Sequence, residues 1–207
     1  MDKVSQAVTV FWLMVCFACY VSFKNLEVSN HEYFNTCRLI EKSQDSIKNM
    51  METESHHRNY LILGEPEYLN RYEQAKAKIL PSLAEVEKLA VTKTQIDKLQ
   101  NAEQIIKQSL VMLDTSLATY KQKGFTATQQ ELVAQYKAVG LTPKIEFKNL
   151  MEEVIIEEQR MLEIRESMNK HRFHSVEVCI YGAITVSAIF FLLPMLVKLK
   201  GLYYGSN

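Results

Sequence analysis

Two long apolar segments near the ends of the chain limit what it can fold into. Residues 4–23 contain no charged side chain, and residues 176–197 contain only Glu177, near the outer end of that segment. About 20 apolar residues are enough for a helix to cross a bilayer. The sequence therefore predicts two transmembrane helices, with a separate polar domain, residues 24–175, between them.

The lysines beside these segments indicate which side of the membrane each part occupies. Lys3 precedes the first segment, and Lys198 and Lys200 follow the second. Lysines that flank a span are retained in the cytoplasm. We therefore expect residues 1–3 and 198–207 to be cytoplasmic and the domain to be extracytoplasmic, in a protein with two spans in the inner (plasma) membrane.

The composition argues against several classes of function. The formal net charge is zero, which gives no basic surface for nucleic acid. Neither apolar segment has a charge in its interior, as transport would require. No nucleophile, phosphate-binding or zinc-protease motif occurs, so we expect neither catalysis nor a cofactor.

Within the domain, apolar residues recur at intervals of three and four, which is the helical pattern. Gly64 and Gly124 end two of the helices, and residues 140–143 interrupt the last one. The sequence predicts an all-α, up-down-up-down four-helix bundle flanked by the two transmembrane helices. Helix one continues from the first span, and its predicted inward row is Leu26, Tyr33, Cys37, Ile40, Ile47, Met51 and Leu61.

Helix lengths predict a homodimer. Helix one reaches about 60 Å from the membrane, whereas helix two returns only about 37 Å, at a rise of about 1.5 Å per residue. The lowest part of the domain then holds two helices per chain, and a second copy would complete a four-helix segment. Cys37, the one cysteine outside the apolar segments, falls about 20 Å above the membrane and is the predicted dimer contact.

Two groups of residues resemble a known family. The first surrounds the turn after helix one and consists of Glu54, Arg58, Tyr60, Leu61, Gly64, Tyr68 and Leu69. The second consists of Glu157, Glu158, Leu162 and Arg165. Over residues 25–172 the chain resembles the sensory extracellular domain associated with cyclases and histidine kinases, the CHASE family, type three. It departs from that family at Asn59, Leu63 and Leu141, the last beside the matching Gly140.

This resemblance implies an extracytoplasmic sensor between two membrane spans. Family members continue into an output module, and only residues 198–207 follow the second segment. We therefore expect a membrane-anchored, ligand-responsive domain without its own output module, which signals or regulates through a separate membrane partner. The alternative is a structural accessory subunit that docks a larger membrane assembly.

Glu54 and Arg58 are the main candidate site residues, joined by Tyr60, Gly140 and Pro143. Glu54 and Arg58 are four residues apart on the predicted inward row of helix one, so they can pair. Buried charges need such partners. They would either fix register and partner choice or line a ligand pocket. Because Glu54-x-x-His57 has no second copy, no metal site is expected.

If helix four ends at residue 175 at the level where helix one begins at residue 24, residues of the two helices at the same height have numbers that sum to about 199. This places Arg58 opposite Leu141 and predicts that its guanidinium bridges to the interruption, where Pro143 lacks an amide hydrogen. It also places Glu157 near Lys42.

Overall fold

The structure, a computed structural model, describes residues 3–139 and 143–204 and consists of helices joined by short turns. The helices are α1 (Lys3–Leu63), α2 (Pro66–Leu89), α3 (Lys93–Lys123), α4 (Phe125–Val139) and α5 (Pro143–Tyr204). The prediction of an all-α fold is confirmed. Gly140, a predicted site residue, lies outside the described residues.

The helix ends follow from local chemistry. Gly64 ends α1 with a φ of 69°, and Gly124 ends α3 with a φ of 81°. Glycine adopts such positive angles without the steric cost of a Cβ atom. The Thr92 side chain caps α3 in a reciprocal arrangement with Gln95. The predicted breaks at Gly64 and Gly124 are therefore confirmed.

The chain divides into two compact units. The central unit is Phe34–Leu162, and the terminal unit combines Met1–Tyr33 with Glu163–Asn207. The core of the central unit is apolar, and its largest fully buried side chains include Tyr72, Phe147, Met50, Ile79, Leu83 and Leu99. Burying such side chains stabilises a fold by roughly 1.5–3 kcal/mol each.

The face of α1 that is buried in the central core is displaced from the predicted row by one residue toward the N-terminus. The buried residues of this face are Thr36, Leu39, Ser43, Ser46, Met50, Thr53, His57 and Leu61. Of the predicted row, Leu61 is buried, Cys37, Ile40 and Ile47 are half-buried, and Met51 is 47% exposed.

Small hydroxyl side chains explain the difference. Ser46 donates to the carbonyl of Lys42 at 3.0 Å, and Thr53 donates to that of Asn49 at 2.8 Å. A buried hydroxyl that binds its own helix leaves no unsatisfied polar group. The Ser46 hydroxyl also lies 3.2 Å from that of Ser82 on α2. The Ser43 hydroxyl, by contrast, is buried without a hydrogen-bond partner among the described residues. Serine and threonine form half of this face of α1, which a search for apolar residues does not detect.

In the terminal unit, α1 and α5 run antiparallel and are joined by hydrogen bonds between polar groups. Asn169 donates to the side-chain oxygen of Asn30 at 2.6 Å. Arg172 donates to the carbonyl of Asn25 at 2.8 Å, and Arg165 to that of Glu32 at 3.4 Å. The residue numbers of each pair sum to about 199, as the helix rise predicts.

Within the described part of the chain, one helix is long and apolar enough to cross a membrane by length and composition. It is Thr9–Leu63, with a mean hydropathy of 1.5 in its most apolar window and none of that window buried. The second predicted span, residues 176–197, lies in α5. That span stays a prediction.

Candidate functional site

Glu54 forms an ion pair that joins α1 to the first turn of α5. Its side chain is only 12% exposed, and its Oε2 lies 3.0 Å from Nζ of Lys144. Burial raises the pKa of the Glu54 carboxyl, although Lys144 and Arg58 act in the opposite direction. The ammonium of Lys144 therefore offsets only part of the cost of removing this carboxylate from water.

Arg58 does not lie where the sequence predicted. It is exposed, whereas Thr53 and His57 occupy the buried face of α1. Each step along a helix turns about 100°, so a row displaced by one residue directs Arg58 outward. Lys144, next to the buried Pro143, provides the partner of Glu54. The predicted bridge from Arg58 to the interruption is wrong, but Arg58 still acts on Glu54 through its charge.

His57 is the buried polar residue next to this ion pair. It is 4% exposed, and its Nε2 lies 3.2 Å from the Leu113 carbonyl oxygen and 2.7 Å from the Ser116 hydroxyl. Since a carbonyl oxygen only accepts, Nε2 carries the hydrogen and donates it. Burial lowers the pKa of His57 to about 4, so the imidazole is neutral near pH 7.

Tyr72 extends these contacts from α1 to α2 and α3. Its ring lies 5.6 Å from that of His57, and its hydroxyl donates to Oδ1 of Asp114 at 2.8 Å. Lys76 pairs with the same carboxylate at 2.6 Å. Burial raises the pKa of the Tyr72 phenol, so it stays protonated and keeps donating. His57, Tyr72, Asp114 and Lys76 thus connect three helices through one polar cluster.

Tyr60 and Gly64, both matched to the family motif, close the end of α1. The Tyr60 ring packs edge-on against that of Tyr120, with centroids 5.5 Å apart. The Gly64 amide donates to the Tyr60 carbonyl at 2.8 Å. A Cβ atom at Gly64 would lie 3.4 Å from the Tyr120 hydroxyl, on a backbone that other residues rarely adopt. These two residues fix the turn into α2.

The second motif fastens α5 to the start of α3. Gln95 donates to the buried carboxylate of Glu158, and its own side-chain oxygen accepts from the amides of Val91 and Thr92. One glutamine therefore connects the α2–α3 turn to α5.

Glu157, the neighbour of Glu158, pairs with Lys98 at 3.0 Å. Lys42 pairs with Glu85 at 2.9 Å, so neither of these ion pairs joins Glu157 to Lys42. That the two residues lie at equal height stays a prediction. Leu162 is half-buried in the central unit.

Cys37 belongs to an apolar row on α1 that the bundle leaves partly uncovered. We define the α1 stripe as Cys37, Ile40, Gln44, Ile47 and Met51, which follow one another at intervals of three and four. A groove of about 430 Å³ runs beside its upper half, lined by Gln44, Ile47, Lys48, Met51, Glu52 and Ser55. All of these residues lie on α1, so this groove is an open surface and not a pocket between helices.

Sequence reasoning missed His57, Lys144 and Gln95. The sequence did contain a signal for His57, a seven-residue repeat on α1. The buried residues of this repeat are Ser29, Thr36, Ser43, Met50 and His57. No comparable local signal marks Lys144 or Gln95, whose partners come from distant helices. In the described ranges, no group of three or more His, Cys, Asp or Glu side chains is placed to hold a metal ion.

The chain matches a known protein family. The family model of the CHASE3 domain matches residues 29–168, which include both motifs. No curated protein and no solved structure matches the chain.

Proposed function

Because the chain belongs to the CHASE3 family of sensory extracellular domains, we propose that it is a membrane-anchored sensor that acts through a separate membrane partner. In this proposal the central unit lies outside the inner membrane and the chain crosses the membrane twice. The bundle binds a ligand and does not catalyse a reaction.

The Glu54–Lys144 ion pair is the observation that carries the sensory part of the proposal. A largely buried carboxylate is held by one ammonium at the first turn of α5. A polar ligand that binds the Glu54 carboxylate or the Lys144 ammonium would compete with the ion pair. It would therefore change the free energy of keeping the carboxylate buried. Since α5 continues as one helix from Pro143 to Tyr204, a shift at its first turn is connected directly to the second predicted span.

The ligand test uses the full chain in lipid nanodiscs and a panel of small amino acids, carboxylic acids and amines. We expect at least one compound to raise the melting temperature of the unmodified chain and to slow hydrogen exchange in the first turns of α5. Lys144→Met should abolish both effects. The matched control Lys148→Met changes a lysine that pairs along its own helix with Glu152 at 3.4 Å, and should keep them. Equal responses of the two variants would contradict the proposed site.

Topology is tested separately. A reporter fused after residue 207 should be active only in its cytoplasmic form, and external protease should cut the central unit in intact spheroplasts. Protection of the central unit would contradict the extracytoplasmic location.

We also propose that the sensor is a homodimer that pairs through the α1 stripe. The stripe has the spacing of a two-stranded coiled coil, and its residues are half-buried or exposed in the single chain. A second copy of α1 would cover Ile40, Ile47 and Met51 and bring two Cys37 thiols together. Mild oxidation of membranes should give a disulfide-linked dimer that Cys37→Ser removes. A persistent monomer under strong oxidant would contradict this interface.

The second candidate function, a structural accessory subunit, is favoured by the position of the groove. The groove of the α1 stripe faces outward on one helix, as a docking surface would. A photo-crosslinker at Met51 distinguishes the two occupants. A crosslink to a second copy of the chain supports the homodimer, and crosslinks only to another membrane protein favour the accessory role.

A further inference from the structure

The part of α5 just before the second predicted span carries positive charge without acidic neighbours. Residues 167–176 contain one lysine, one arginine and two histidines, and no aspartate or glutamate. The four basic side chains line a surface concavity of about 560 Å³ on α5, in the terminal unit. The residues that line it are Ser167, Met168, Lys170, His171, Arg172 and His174. A concavity with this lining has the charge and the hydrogen-bond donors to hold an anion.

A second concavity, of about 430 Å³, continues around α5 to α1, and Lys170 and His174 line both concavities. Two carboxylates, those of Glu166 and Glu177, also line the second one. Its apolar lining residues are Leu26, Tyr33 and Phe173. Phe173 is 55% exposed. Exposed apolar side chains beside a cationic concavity suit a partner that is itself part charged and part apolar, as a phospholipid is.

The cations of the first concavity are held by contacts that a phosphate can join or replace. The Lys170 ammonium lies 2.7 Å from Oε1 of Glu166, and the Lys170 side chain is 76% exposed. Exposed ion pairs contribute little free energy, so a phosphate can compete with this carboxylate. The Arg172 guanidinium donates from one nitrogen to the Asn25 carbonyl, at 2.8 Å, and has five donors in all.

The height of the first concavity selects the phosphate of a lipid over one dissolved in water. Lys170 and His174 precede the second predicted span, which starts at residue 176, by six and two residues. At about 1.5 Å per residue, the basic side chains lie about 3–9 Å outside the hydrocarbon. The headgroup layer on each side of a bilayer is about 5–8 Å thick. The concavity therefore lies at the level of the lipid phosphates. This step rests on the membrane anchoring in the proposed function.

We propose that the basic concavity, defined by Lys170, His171, Arg172 and His174, binds the headgroup phosphate of an anionic phospholipid such as phosphatidylglycerol. A zwitterionic headgroup fits less well, because no acidic residue among those described lines this concavity to hold a lipid ammonium. Arg172 also binds Asn25 on α1, so a bound headgroup reinforces the contact between α1 and α5 at the membrane surface. The response of the sensor then depends on the anionic lipid content of the membrane.

The experiment uses the full chain in phosphatidylcholine nanodiscs that contain a small fraction of diazirine-labelled phosphatidylglycerol or of equally labelled phosphatidylcholine. After illumination, the crosslinked peptides are quantified by mass spectrometry. We expect phosphatidylglycerol to label residues 167–174 about fivefold or more above phosphatidylcholine. Unlabelled phosphatidylglycerol should compete with this labelling, whereas inorganic phosphate should not.

Variants of the cations test the assignment. Lys170→Gln with Arg172→Gln should lower the labelling by about fivefold or more. The matched control, Lys148→Gln with Arg160→Gln, removes two cations from α5 in the central unit and should keep the labelling. Lys170→Gln alone leaves the hydrogen bond of Arg172 in place and should lower the labelling by about twofold or more. This single change keeps the test decisive if the double variant does not fold.

Three results would overturn the proposal. Equal labelling by the two lipids would show that the concavity does not select an anionic headgroup. An equal loss of labelling in the control variant would show a general effect of charge. Competition by inorganic phosphate would show an anion site that is not specific to lipid.

The membrane premise has its own readout. Trp12 is the single tryptophan of the chain and lies within the first predicted span. Brominated phosphatidylcholine in the same nanodiscs should quench its fluorescence. Unquenched fluorescence would contradict the membrane anchoring in the proposed function, whatever the result of the lipid labelling.

Discussion

The central and terminal units use the same two long helices in different surroundings. In the central unit, α1 and α5 pack with α2 and α3 around side chains such as Tyr72, Ile79 and Phe147, which are at most 1% exposed. In the terminal unit, Asn, Arg, Ser and Cys side chains form hydrogen bonds between α1 and α5, and apolar residues such as Leu26 and Val176 are only half-buried. Burial of apolar area is the main stabilising term in water. The central unit therefore carries the stability, and the terminal unit depends on what surrounds it.

The largest expected effect is a difference in the free energy of unfolding between alanine variants of two phenylalanines, one from each unit. Phe147 is 1% exposed in the central core, and Phe173 is 55% exposed in the terminal unit. Phe147→Ala should lower the free energy of unfolding by about 3–5 kcal/mol, because it removes buried surface and leaves a cavity. Phe173→Ala should change it by less than about 0.5 kcal/mol. Guanidinium unfolding in mild detergent, followed by circular dichroism, measures both. Similar losses would remove the contrast between the units.

The next effect is a pH dependence that belongs to the central unit. His57 has a pKa of about 4 when folded, against an ordinary value of about 6.5 when unfolded. Below pH 6.5 the unfolded chain binds a proton that the folded chain does not, so stability falls as the pH falls from about 6.5 to 4. The loss should be on the order of 3 kcal/mol at pH 4. His57→Gln should flatten this part of the stability-pH curve. An unchanged slope in the variant would assign the effect to other groups.

A matched pair of cationic residues gives a smaller effect. Lys144→Ala removes the direct partner of Glu54, whose side chain is 12% exposed, and should cost about 1–2 kcal/mol. Arg58→Ala removes an exposed charge and should cost less than about 0.5 kcal/mol. Thermal unfolding of the two variants at one pH measures the difference. A larger loss of stability for Arg58→Ala than for Lys144→Ala would support the predicted bridge from Arg58 to the helix interruption, which the structure contradicts.

The smallest effect is expected in the terminal unit. Asn169 donates to Asn30, while its own side-chain oxygen is buried without a hydrogen-bond partner among the described residues. The double change Asn30→Leu with Asn169→Leu should leave the melting temperature nearly unchanged or raise it, because paired polar groups replaced by apolar ones of similar size cost little. The single change Asn169→Leu, which strands Asn30, should be the less stable variant. A large loss in the double variant would show that polar contacts stabilise this unit.

Helix ends and helix register could be predicted because each depends on local rules. Gly64 and Gly124 end their helices through positive φ angles that few other residues adopt. The antiparallel register of α1 and α5 follows from the rise per residue, and Glu54 with Lys144 obeys it in the central unit as well.

The inner face of α1 and the site could not be predicted in the same way. An apolar pattern identified the α1 stripe, whereas Ser46, Thr53 and His57 occupy the core because their polar atoms bind carbonyls and hydroxyls nearby. That displacement of one residue moved Arg58 outward and gave Glu54 a different partner. Partners such as Lys144 and Gln95 are chosen by tertiary packing, which a single sequence does not encode in any local spacing.

We propose that α1 has two faces, one packed in the bundle and one that meets a second copy. A cysteine scan tests it most directly, in a background in which Cys16, Cys19, Cys37 and Cys179 are all changed to serine. Each variant then carries one cysteine, at position 37, 44 or 51 on the α1 stripe or at position 36, 43 or 50 on the buried face. Mild oxidation in native membranes should give disulfide-linked dimers from the first set and monomers from the second. Dimers from 36, 43 and 50, or equal yields from both sets, would contradict the account.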